Sequence, residues 1–404
     1  MKYVVFLGDG MADYPNEKLG GKTPLELANK PNMDKIAENG KMGIVKTIDN
    51  SLSPGSDVAN LSVMGYDPLI YYSGRSPLEA LSIGVDLKDT DVTFRANIVT
   101  LSENEPYEEK KMVDYSSGEI TTEESSVLIA FLKENLKDEG YELHSGISYR
   151  HLLVADKGST KIKLTPPHDI SDRFVTEYLP KGENADVILD MMKKSYELLK
   201  DHPINKKRIE QGKNPANSLW IWGEGTKPML DDFYEKFGLR GSVISAVDLL
   251  KGIGKGAGMN VPEVEGATGN IDTNFEGKAQ AAIDELKAGQ DFVYIHVEAP
   301  DECGHHGDAD GKIASIELID EKIIAPVMEY LENCGEDFAV LLTPDHPTPI
   351  ELKTHVRDSV PFAIYGSKIY EGSGLPYTEK NAEKTGFVVD KGCKIMPLFA
   401  GVDK

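Results

Sequence analysis

Asp301 and His305 have residue types and a spacing that could bind a metal ion. They stand four residues apart, directly beyond the apolar run Phe292–Val297. One turn of helix or a tight loop can aim this carboxylate and this imidazole at one point, as a divalent transition metal requires. An isolated aspartate and histidine at this spacing more often belong to a solvated polar loop. The metal-site interpretation therefore depends on further ligands elsewhere in the chain.

A second segment supplies such ligands. Asp345 and His346 follow the apolar run Phe338–Leu342, and His355 comes shortly afterwards. The length and composition of both apolar runs favour buried strands. Two buried strands that each end in aspartate and histidine indicate one edge of an open α/β sheet, where ligands bind.

Asp9 extends the same pattern to the beginning of the chain. It lies between Gly8 and Gly10, after the apolar run Tyr3–Leu7. The glycines could mark only a tight turn, but they also leave the Asp9 carboxylate free to reach a metal. The segment lacks GxGxxG, which argues against a dinucleotide site.

Ser56 has two interpretations. It follows Pro54 and Gly55 and precedes an apolar-periodic segment, so it could be the N-cap of a helix. A helix N-terminus also stabilises a phosphate through its free N–H groups and its dipole. Both uses require the same local geometry, so the sequence leaves the choice open.

Together, these oxygen and nitrogen donors exceed the needs of one ion. They suffice for two divalent ions about 4 Å apart, which can clamp a phosphoryl group in line. A serine beside such a pair would be activated as a nucleophile by coordination. The candidates are Asp9, Ser56, Asp301, His305, Asp345, His346 and His355.

The elements around these residues predict an α/β protein with an insertion. A chain of 404 residues suggests two domains, or one large α/β domain with an inserted segment. From about Asp86 the pattern changes to strands with only two long helices, which favours an α+β insertion. Polar residues cluster beside these strands and suggest a substrate-binding surface, although each arginine alone could face solvent. They include Arg95, Arg150, His168 and Asp169.

Charge and composition exclude several classes of function. The formal net charge of -23 argues against a nucleic-acid partner, so an anionic substrate would need local metal ions, Arg or Lys. No apolar run approaches the roughly 18 residues of a membrane span, and no signal-peptide pattern precedes the first strand. The expectation is a cytoplasmic protein without a membrane partner. The three cysteines are too scattered for a disulfide framework or a thiolate zinc cluster.

Ordered motifs along the chain resemble the alkaline phosphatase superfamily. These motifs are GDGMAD, PGSD followed by NLSVMGYDP, APDECGH, TPDH and THVRDSVPF. Nearly the whole chain more closely resembles the archaeal-type cofactor-independent (2,3-bisphosphoglycerate-independent) phosphoglycerate mutases, including SYRHLLV, TPPHDI, LWIWGEG and GMNVPEVEGATGNIDTNFEGK. The resemblance implies an alkaline-phosphatase-like doubly wound core of residues 1–85 and 215–404. Residues 86–214 would form an inserted α+β lid domain.

The resemblance also implies the site residues. Ser56 would be the nucleophile that becomes phosphoserine. One metal ion would be bound by Asp301, His305 and His355, and the other by Asp9, Asp345, His346 and the Ser56 hydroxyl. Two manganese ions are expected, with zinc or magnesium as alternatives, and the mixed oxygen and nitrogen donors agree with manganese or zinc.

The implied reaction is the interconversion of 3-phosphoglycerate and 2-phosphoglycerate without bisphosphoglycerate. Exclusion of water matters because water would otherwise hydrolyse the phosphoserine. Arg95, Arg150, His168 and Asp169 are expected to hold the substrate carboxylate and to move hydroxyl protons. Lys278 is expected to bind the phosphate.

Two other functions remain open at this stage. A phosphotransferase of the homoserine kinase type in the same family would need a nucleotide donor, and the chain has no Walker loop or kinase signature, which favours the mutase. A metal-binding protein without catalysis is the third hypothesis, and it would not depend on Ser56. The sequence makes no prediction of the oligomeric state.

Overall fold

The computed structural model describes residues 1–136, 139–367 and 371–401, and the chain forms two compact units. The first unit is Met1–Tyr72 with Met229–Lys404, and the second is Ser73–Pro228. The segment 86–214, which the sequence indicates as an insertion, lies within the second unit. Within the described ranges, no helix has the length and apolar character needed to cross a membrane.

A mixed seven-stranded sheet forms the centre of the first unit. Three adjacent strands, Phe292–Val297, Lys2–Gly8 and Phe338–Thr343, are parallel and almost entirely buried, so helices must cover both faces. This arrangement confirms the predicted α/β class. Across the sheet, the strands are Gly241–Ile244, Phe292–Val297, Lys2–Gly8, Phe338–Thr343, Val360–Gly366, Lys41–Val45 and Val388–Val389.

Helices surround this sheet, and their apolar residues complete its core. The longer ones are Pro31–Asn39, Ser56–Val63, Asp248–Gly256, Phe275–Lys287, Ala299–His306, Ala309–Ile319 and Ala325–Asn333, with the π-helical turn Asp320–Ile324 between the last two. The shorter ones are Glu17–Leu19, Pro24–Leu27, Pro68–Tyr71, Phe233–Phe237, Glu379–Lys384, Gly392–Lys394 and Ile395–Ala400.

A buried ion pair joins two loops that leave the same edge of this sheet. Lys312 Nζ lies 2.7 Å from Asp13 Oδ2, and it also donates to the carbonyl oxygens of Ala12 and Thr348. The Ile350 N–H donates to the same Asp13 oxygen. Every donor of the ammonium group is therefore used, which is the condition under which a buried ion pair is tolerated.

The second unit is built on an antiparallel sheet whose central strand is Asp91–Leu101. Its other strands are Met112–Asp114, Tyr141–His144, Arg150–Asp156 and Ser218–Thr226, and Ile162–Lys163 pairs separately with Lys181–Gly182. The helices are Ser76–Ser82, Tyr107–Glu109, Thr122–Asn135, Pro167–Ile170, Val175–Tyr178, Ala185–Leu199 and Pro203–Glu210.

One strand lies in a different unit from the one that the sequence suggests. The segment Ser218–Thr226 falls in the expected core range 215–404, but it pairs with Asp91–Leu101 in the second unit. Its apolar pattern predicts a buried strand in either location. The cross-strand partners decide the location, and they are distant in the sequence.

His151 is buried on the strand Arg150–Asp156. Its Nδ1 accepts a hydrogen bond from the Gly146 N–H, at 3.0 Å. Its Nε2 is buried and has no hydrogen-bond partner in the part of the chain that the structure describes. Burial lowers the pKa of His151 to about 3, because the apolar surroundings disfavour the charged imidazolium.

We expect His151 to make the protein less stable in acid. The unfolded chain takes up the proton near pH 6.5, whereas the folded chain resists it until about pH 3. The stabilising contribution is therefore complete above the unfolded pKa and is lost as the pH falls toward the folded pKa. The free energy of unfolding is measured with urea at about pH 7.5 and about pH 5. It should fall between these two pH values by about 2 kcal/mol less in His151→Gln than in the wild type. Equal losses in both proteins would contradict this assignment.

Candidate functional site

The candidate ligands meet at the carboxyl edge of the central parallel strands. Leu7 is in register with both His296 and Thr343, so the three parallel strands Phe292–Val297, Lys2–Gly8 and Phe338–Thr343 end at nearly the same level. Residues that follow these strands directly, including Asp9 and Asp345, are therefore brought to one place. The sequence predicts ligands at the carboxyl ends of the strands, and the candidate residues lie there.

The first candidate group contains Asp301, His305 and His355. His305 Nε2 lies 3.2 Å from Asp301 Oδ2 and 2.8 Å from His355 Nε2, and His355 Nε2 lies 3.4 Å from Asp301 Oδ1. His305 Nδ1 donates to the Lys353 carbonyl oxygen, which leaves its Nε2 facing the other two ligands. His346 also belongs here, since its donor atom lies within 4.8 Å of those of Asp301 and His355.

The second candidate group contains Asp9, Asp345 and His346, all fully buried. His346 Nε2 lies 3.5 Å from Asp9 Oδ1 and 3.4 Å from Asp345 Oδ2. The Gly10 N–H donates to Asp345 Oδ1 at 3.1 Å and fixes the orientation of that carboxylate. His346 is shared between the two groups, which places them next to each other.

Ser56 lies beside the second group and does not serve as an N-cap. The helix Ser56–Val63 has Gly55 as its N-cap, and Ser56 is its first helical residue. The Ser56 Oγ lies 3.2 Å from His346 Nε2. The hydroxyl is therefore directed at the ligands and is not used to cap the backbone.

Asn60 connects this helix to the ligands. Its Nδ2 donates to Asp345 Oδ2 at 2.8 Å and to the Ser56 carbonyl oxygen at 2.9 Å. Tyr294 donates its hydroxyl to Asn60 Oδ1 at 2.6 Å. This chain of hydrogen bonds fixes Ser56 relative to the metal-ligand candidates.

The electrostatics of the group reflect crowded negative charge. Burial, followed by the neighbouring Asp345 charge, raises the pKa of Asp9 well above its usual range. Burial acts in the same direction on Asp301, but hydrogen bonds from His305 and His355 outweigh it and lower the pKa of Asp301. In return, the bond to Asp301 raises the pKa of His305 to about 9. A divalent cation would supply the missing positive charge.

The side chains present fit such cations. The donors are carboxylate oxygens and imidazole nitrogens, which suit manganese or zinc. Asp9 Oδ1 is buried and has no hydrogen-bond partner among residues 1–136, 139–367 and 371–401. A buried carboxylate oxygen in this state needs a proton or a cation, because leaving it unpaired is costly.

Lys278 is the predicted phosphate-binding residue of the first unit. It is buried, and its Nζ donates to the His296 carbonyl oxygen at 3.1 Å. Burial lowers the pKa of Lys278 to about 8, although the nearby Glu298 carboxylate raises it in part. The ammonium group therefore lies near the acidic edge of the sheet.

His296 and Glu298 also belong to this edge, and the sequence analysis does not include them. His296 Nε2 lies 2.8 Å from Asp9 Oδ2 and 3.6 Å from Glu298 Oε2. The available signal was a histidine inside an otherwise apolar strand, with an acidic residue directly after its end. That signal is weak, because a lone buried histidine is commonly a packing residue.

The other predicted residues form a separate cluster in the second unit. The Arg95 guanidinium lies 4.3 Å from the centre of the Trp222 ring, whose edge packs against His168. Arg150 stacks on Tyr149. Burial lowers the pKa of Arg95, and the charges of Arg75 and Arg150 act in the same direction, which shows that the three arginines lie close together. The sequence therefore selected residues that lie together.

Glu79 connects Arg95 to a further arginine. Arg75 and Arg95 each donate from Nε to one oxygen of the Glu79 carboxylate, at 3.1 Å. Asp169 lies at the exposed end of the cluster, where its Oδ1 is 3.6 Å from His168 Nε2. The cluster carries more positive than negative charge, which suits an anion.

Comparisons with known proteins agree with one another over most of the chain. Residues 37–205 match the family model described as 2,3-bisphosphoglycerate-independent phosphoglycerate mutase. The protein of that name from Methanosarcina barkeri is 52% identical over 401 residues, covering 99% of each chain. A structure from Pyrococcus horikoshii has a TM-score of 0.84 and 32% identity, covering 100% of this chain and 98% of the other.

A further structure carries a functional description. It is a cofactor-independent phosphoglycerate mutase from Thermoplasma acidophilum, with a TM-score of 0.68 and 26% identity over 99% of each chain. Sequence and fold therefore point to the same family.

We expect divalent cations to stabilise this protein against heat. Adding manganese to metal-depleted protein should raise the melting temperature. At a free manganese concentration about 100 times the dissociation constant, one site should add about 2.7 kcal/mol to the free energy of unfolding. Asp301→Asn should reduce the increase, because it removes a carboxylate that lies among the candidate ligands. Asp310→Asn, an exposed neighbour, is the control and should retain it. An equal melting temperature with and without manganese would contradict the metal assignment.

Proposed function

This chain belongs to the 2,3-bisphosphoglycerate-independent phosphoglycerate mutase family, and we propose that it transfers the phosphoryl group through Ser56. It is an isomerase that interconverts 3-phosphoglycerate and 2-phosphoglycerate without bisphosphoglycerate. The observation that supports the role of Ser56 is the approach of its hydroxyl to His346 among the buried metal-ligand candidates. A reaction of central metabolism suggests a cytoplasmic location.

In the proposed reaction, Ser56 takes the phosphoryl group from one hydroxyl of the substrate and returns it to the other. The phosphorus–oxygen bond to the substrate breaks as the bond to Ser56 Oγ forms, and the serine proton is passed on to the substrate oxygen that is released as a hydroxyl. The glycerate turns, and its other hydroxyl then forms a bond to phosphorus as the bond to Ser56 Oγ breaks, with its proton returning to the serine. Water must be kept from the phosphoserine meanwhile, because hydrolysis would release inorganic phosphate.

We propose that two divalent cations, manganese by preference, bind the ligand groups beside Ser56. Asp301, His305 and His355 would hold one cation, and Asp9, Asp345, His346 and the Ser56 hydroxyl the other. When bound, such cations favour the ionised serine and stabilise negative charge on the phosphoryl group. His346 lies near both groups, so it is the residue that could serve either.

Groups of the protein itself would complete phosphate binding. The N-terminal end of the helix Ser56–Val63 lies at the serine, where the helix dipole favours an anion. We propose Lys278 as a further phosphate partner, because its buried ammonium lies near this edge of the sheet.

The arginine cluster of the second unit is proposed to bind the substrate carboxylate. Arg95 and Arg150 carry the charge, and stacking on Trp222 and Tyr149 restricts their motion. His168 is proposed to move hydroxyl protons, with Asp169 beside it. Burial lowers the pKa of His168, which favours the neutral imidazole that can accept a proton.

A phosphotransferase of the homoserine kinase type is the less favoured alternative. A relative that covers 99% of this chain at 52% identity carries the mutase name. The two functions differ in an observable way, because a kinase needs a nucleotide donor whereas a mutase needs only its substrate.

The decisive prediction concerns Ser56. Manganese-loaded protein given 3-phosphoglycerate, with no bisphosphoglycerate or nucleotide, should form 2-phosphoglycerate, measured through enolase. Ser56→Ala should lose on the order of 10⁴-fold or more of the turnover, because the nucleophile is gone. The control Ser62→Ala changes another buried serine of the same helix and should remain active. Substantial turnover in Ser56→Ala would refute the proposed nucleophile.

A second prediction separates substrate binding from metal binding. Arg150→Ala should lower kcat/KM by about 10- to 100-fold, because a charged hydrogen bond to the substrate is lost. Manganese content should remain unchanged. Arg173→Ala removes an exposed arginine of the same unit and should have wild-type kinetics. Wild-type kinetics in Arg150→Ala would remove this residue from the site.

A further inference from the structure

Thr348 lies between the two groups of candidate ligands, and the proposed function does not use it. Its side chain is fully buried, two residues beyond His346. The Thr348 hydroxyl donates to Asp301 Oδ1, and its Oγ1 lies 3.3 Å from His346 Nδ1. Asp301 belongs to the first group, and His346 is shared by both groups. One hydroxyl therefore contacts ligands of both proposed cations.

The chemistry of the hydroxyl fixes the direction of these two contacts. A hydroxyl has one proton and two lone pairs, and an ionised carboxylate can only accept, so the proton points to Asp301. The lone pairs then face His346 Nδ1, which bonds with them when it carries the imidazole proton. The other ring nitrogen, Nε2, is left without a proton, and it lies 3.2 Å from Ser56 Oγ among the candidate ligands. A metal ligand that binds through Nε2 requires this tautomer.

The position of Thr348 is fixed by its own backbone and methyl group. Its N–H donates to the Ala12 carbonyl oxygen at 3.3 Å, and its carbonyl oxygen accepts from Lys312 Nζ at 2.9 Å. Its methyl packs against Gly304, where a Cβ would lie 2.9 Å from Thr348 Cγ2. The side chain therefore has little freedom to turn its hydroxyl away from the ligands.

Gly10 closes the same side of the site. A Cβ at Gly10 would lie 2.6 Å from Thr348 Oγ1 and 2.5 Å from Asp301 Oδ1. The loop after the first strand therefore packs directly against the hydrogen bond between these two side chains. If the hydroxyl were removed, this packed side would offer no replacement partner to Asp301 Oδ1 or His346 Nδ1. Buried polar groups left without a partner are unfavourable.

We propose that Thr348 is a positioning residue for both cations, because its hydroxyl orients Asp301 and fixes the His346 tautomer that leaves Nε2 unprotonated. This inference rests on the cation pair of the proposed function and adds a residue that acts through two of its ligands. Removal of a partner of this kind typically weakens metal binding roughly 10- to 100-fold. Each proposed cation has a ligand that Thr348 contacts, so both should bind more weakly without the hydroxyl.

The test compares two substitutions of Thr348 in the full-length protein. Thr348→Val removes the hydroxyl and keeps the branched shape, whereas Thr348→Ser keeps the hydroxyl and removes the methyl. Metal-depleted protein is titrated with Mn²⁺, and free Mn²⁺ is measured by electron paramagnetic resonance. Thr348→Val should bind both cations roughly 10- to 100-fold more weakly, and Thr348→Ser should keep the wild-type affinity. Thr348→Ala serves as a second variant if Thr348→Val fails to fold, and it should show the same loss.

Thr343→Val is the matched control. Thr343 is fully buried, and its hydroxyl donates to the carbonyl oxygens of Pro344 and Pro361 instead of to ligand side chains. The substitution removes a buried hydroxyl of the same kind, so it should lower stability without changing the affinity for Mn²⁺. An effect on affinity in Thr348→Val alone therefore reports the contacts with the ligands.

A second measurement does not depend on any cation. Long-range proton–nitrogen NMR of the metal-depleted protein distinguishes the protonated from the unprotonated ring nitrogen of His346. In the wild type and in Thr348→Ser, Nδ1 should carry the proton and Nε2 should not. In Thr348→Val the proton should shift toward Nε2, because Nδ1 has lost its acceptor.

The outcomes separate this proposal from the proposed function. Unchanged affinity for Mn²⁺ in Thr348→Val, or a loss in Thr348→Ser as large as in Thr348→Val, overturns the role of Thr348. Binding of fewer than about two equivalents by the wild type contradicts the cation pair alone. In that case the tautomer decides, and a proton on His346 Nε2 in the wild type overturns the role of Thr348.

Discussion

The concentration of buried carboxylates at one edge of the sheet is the constraint on which the first unit depends. Asp9, Asp301 and Asp345 lie almost entirely out of contact with solvent and within a few ångströms of shared histidines. Like charges at such distances in a low-dielectric interior are unfavourable unless positive charge balances them. The parallel strands impose this arrangement, because their ends coincide and each delivers a carboxylate.

The chain balances its buried charge in two ways at this edge. Lys312 neutralises Asp13 directly and joins the loop after the first strand to the loop that contains Thr348. The carboxylates of the candidate ligands have histidines and one lysine nearby instead. The first arrangement is permanent and structural, whereas the second leaves room for cations to supply the remaining charge.

The second unit uses other interactions to present positive charge. Stacking on Trp222 and shared hydrogen bonds to Glu79 hold Arg95 without neutralising the whole cluster. Guanidinium groups tolerate this environment because they are planar and weakly hydrated. The antiparallel sheet supplies the register, since Arg95 lies opposite Trp222 and Asn97 lies opposite Arg150. Residues far apart in the chain thereby form one cluster with a net positive charge.

The sequence by itself determined the α/β class and the candidate ligands, because apolar runs that end in Asp, His or Gly carry that information locally. It also indicated the Ser56 helix and the arginines. Only the tertiary structure decided that Gly55, and not Ser56, is the N-cap, and that Ser218–Thr226 pairs with Asp91–Leu101. It alone placed His296 beside Asp9, and Glu298 beside His296, at the same edge of the sheet. These features depend on strand register and on packing between distant segments, which no local pattern of residue types encodes.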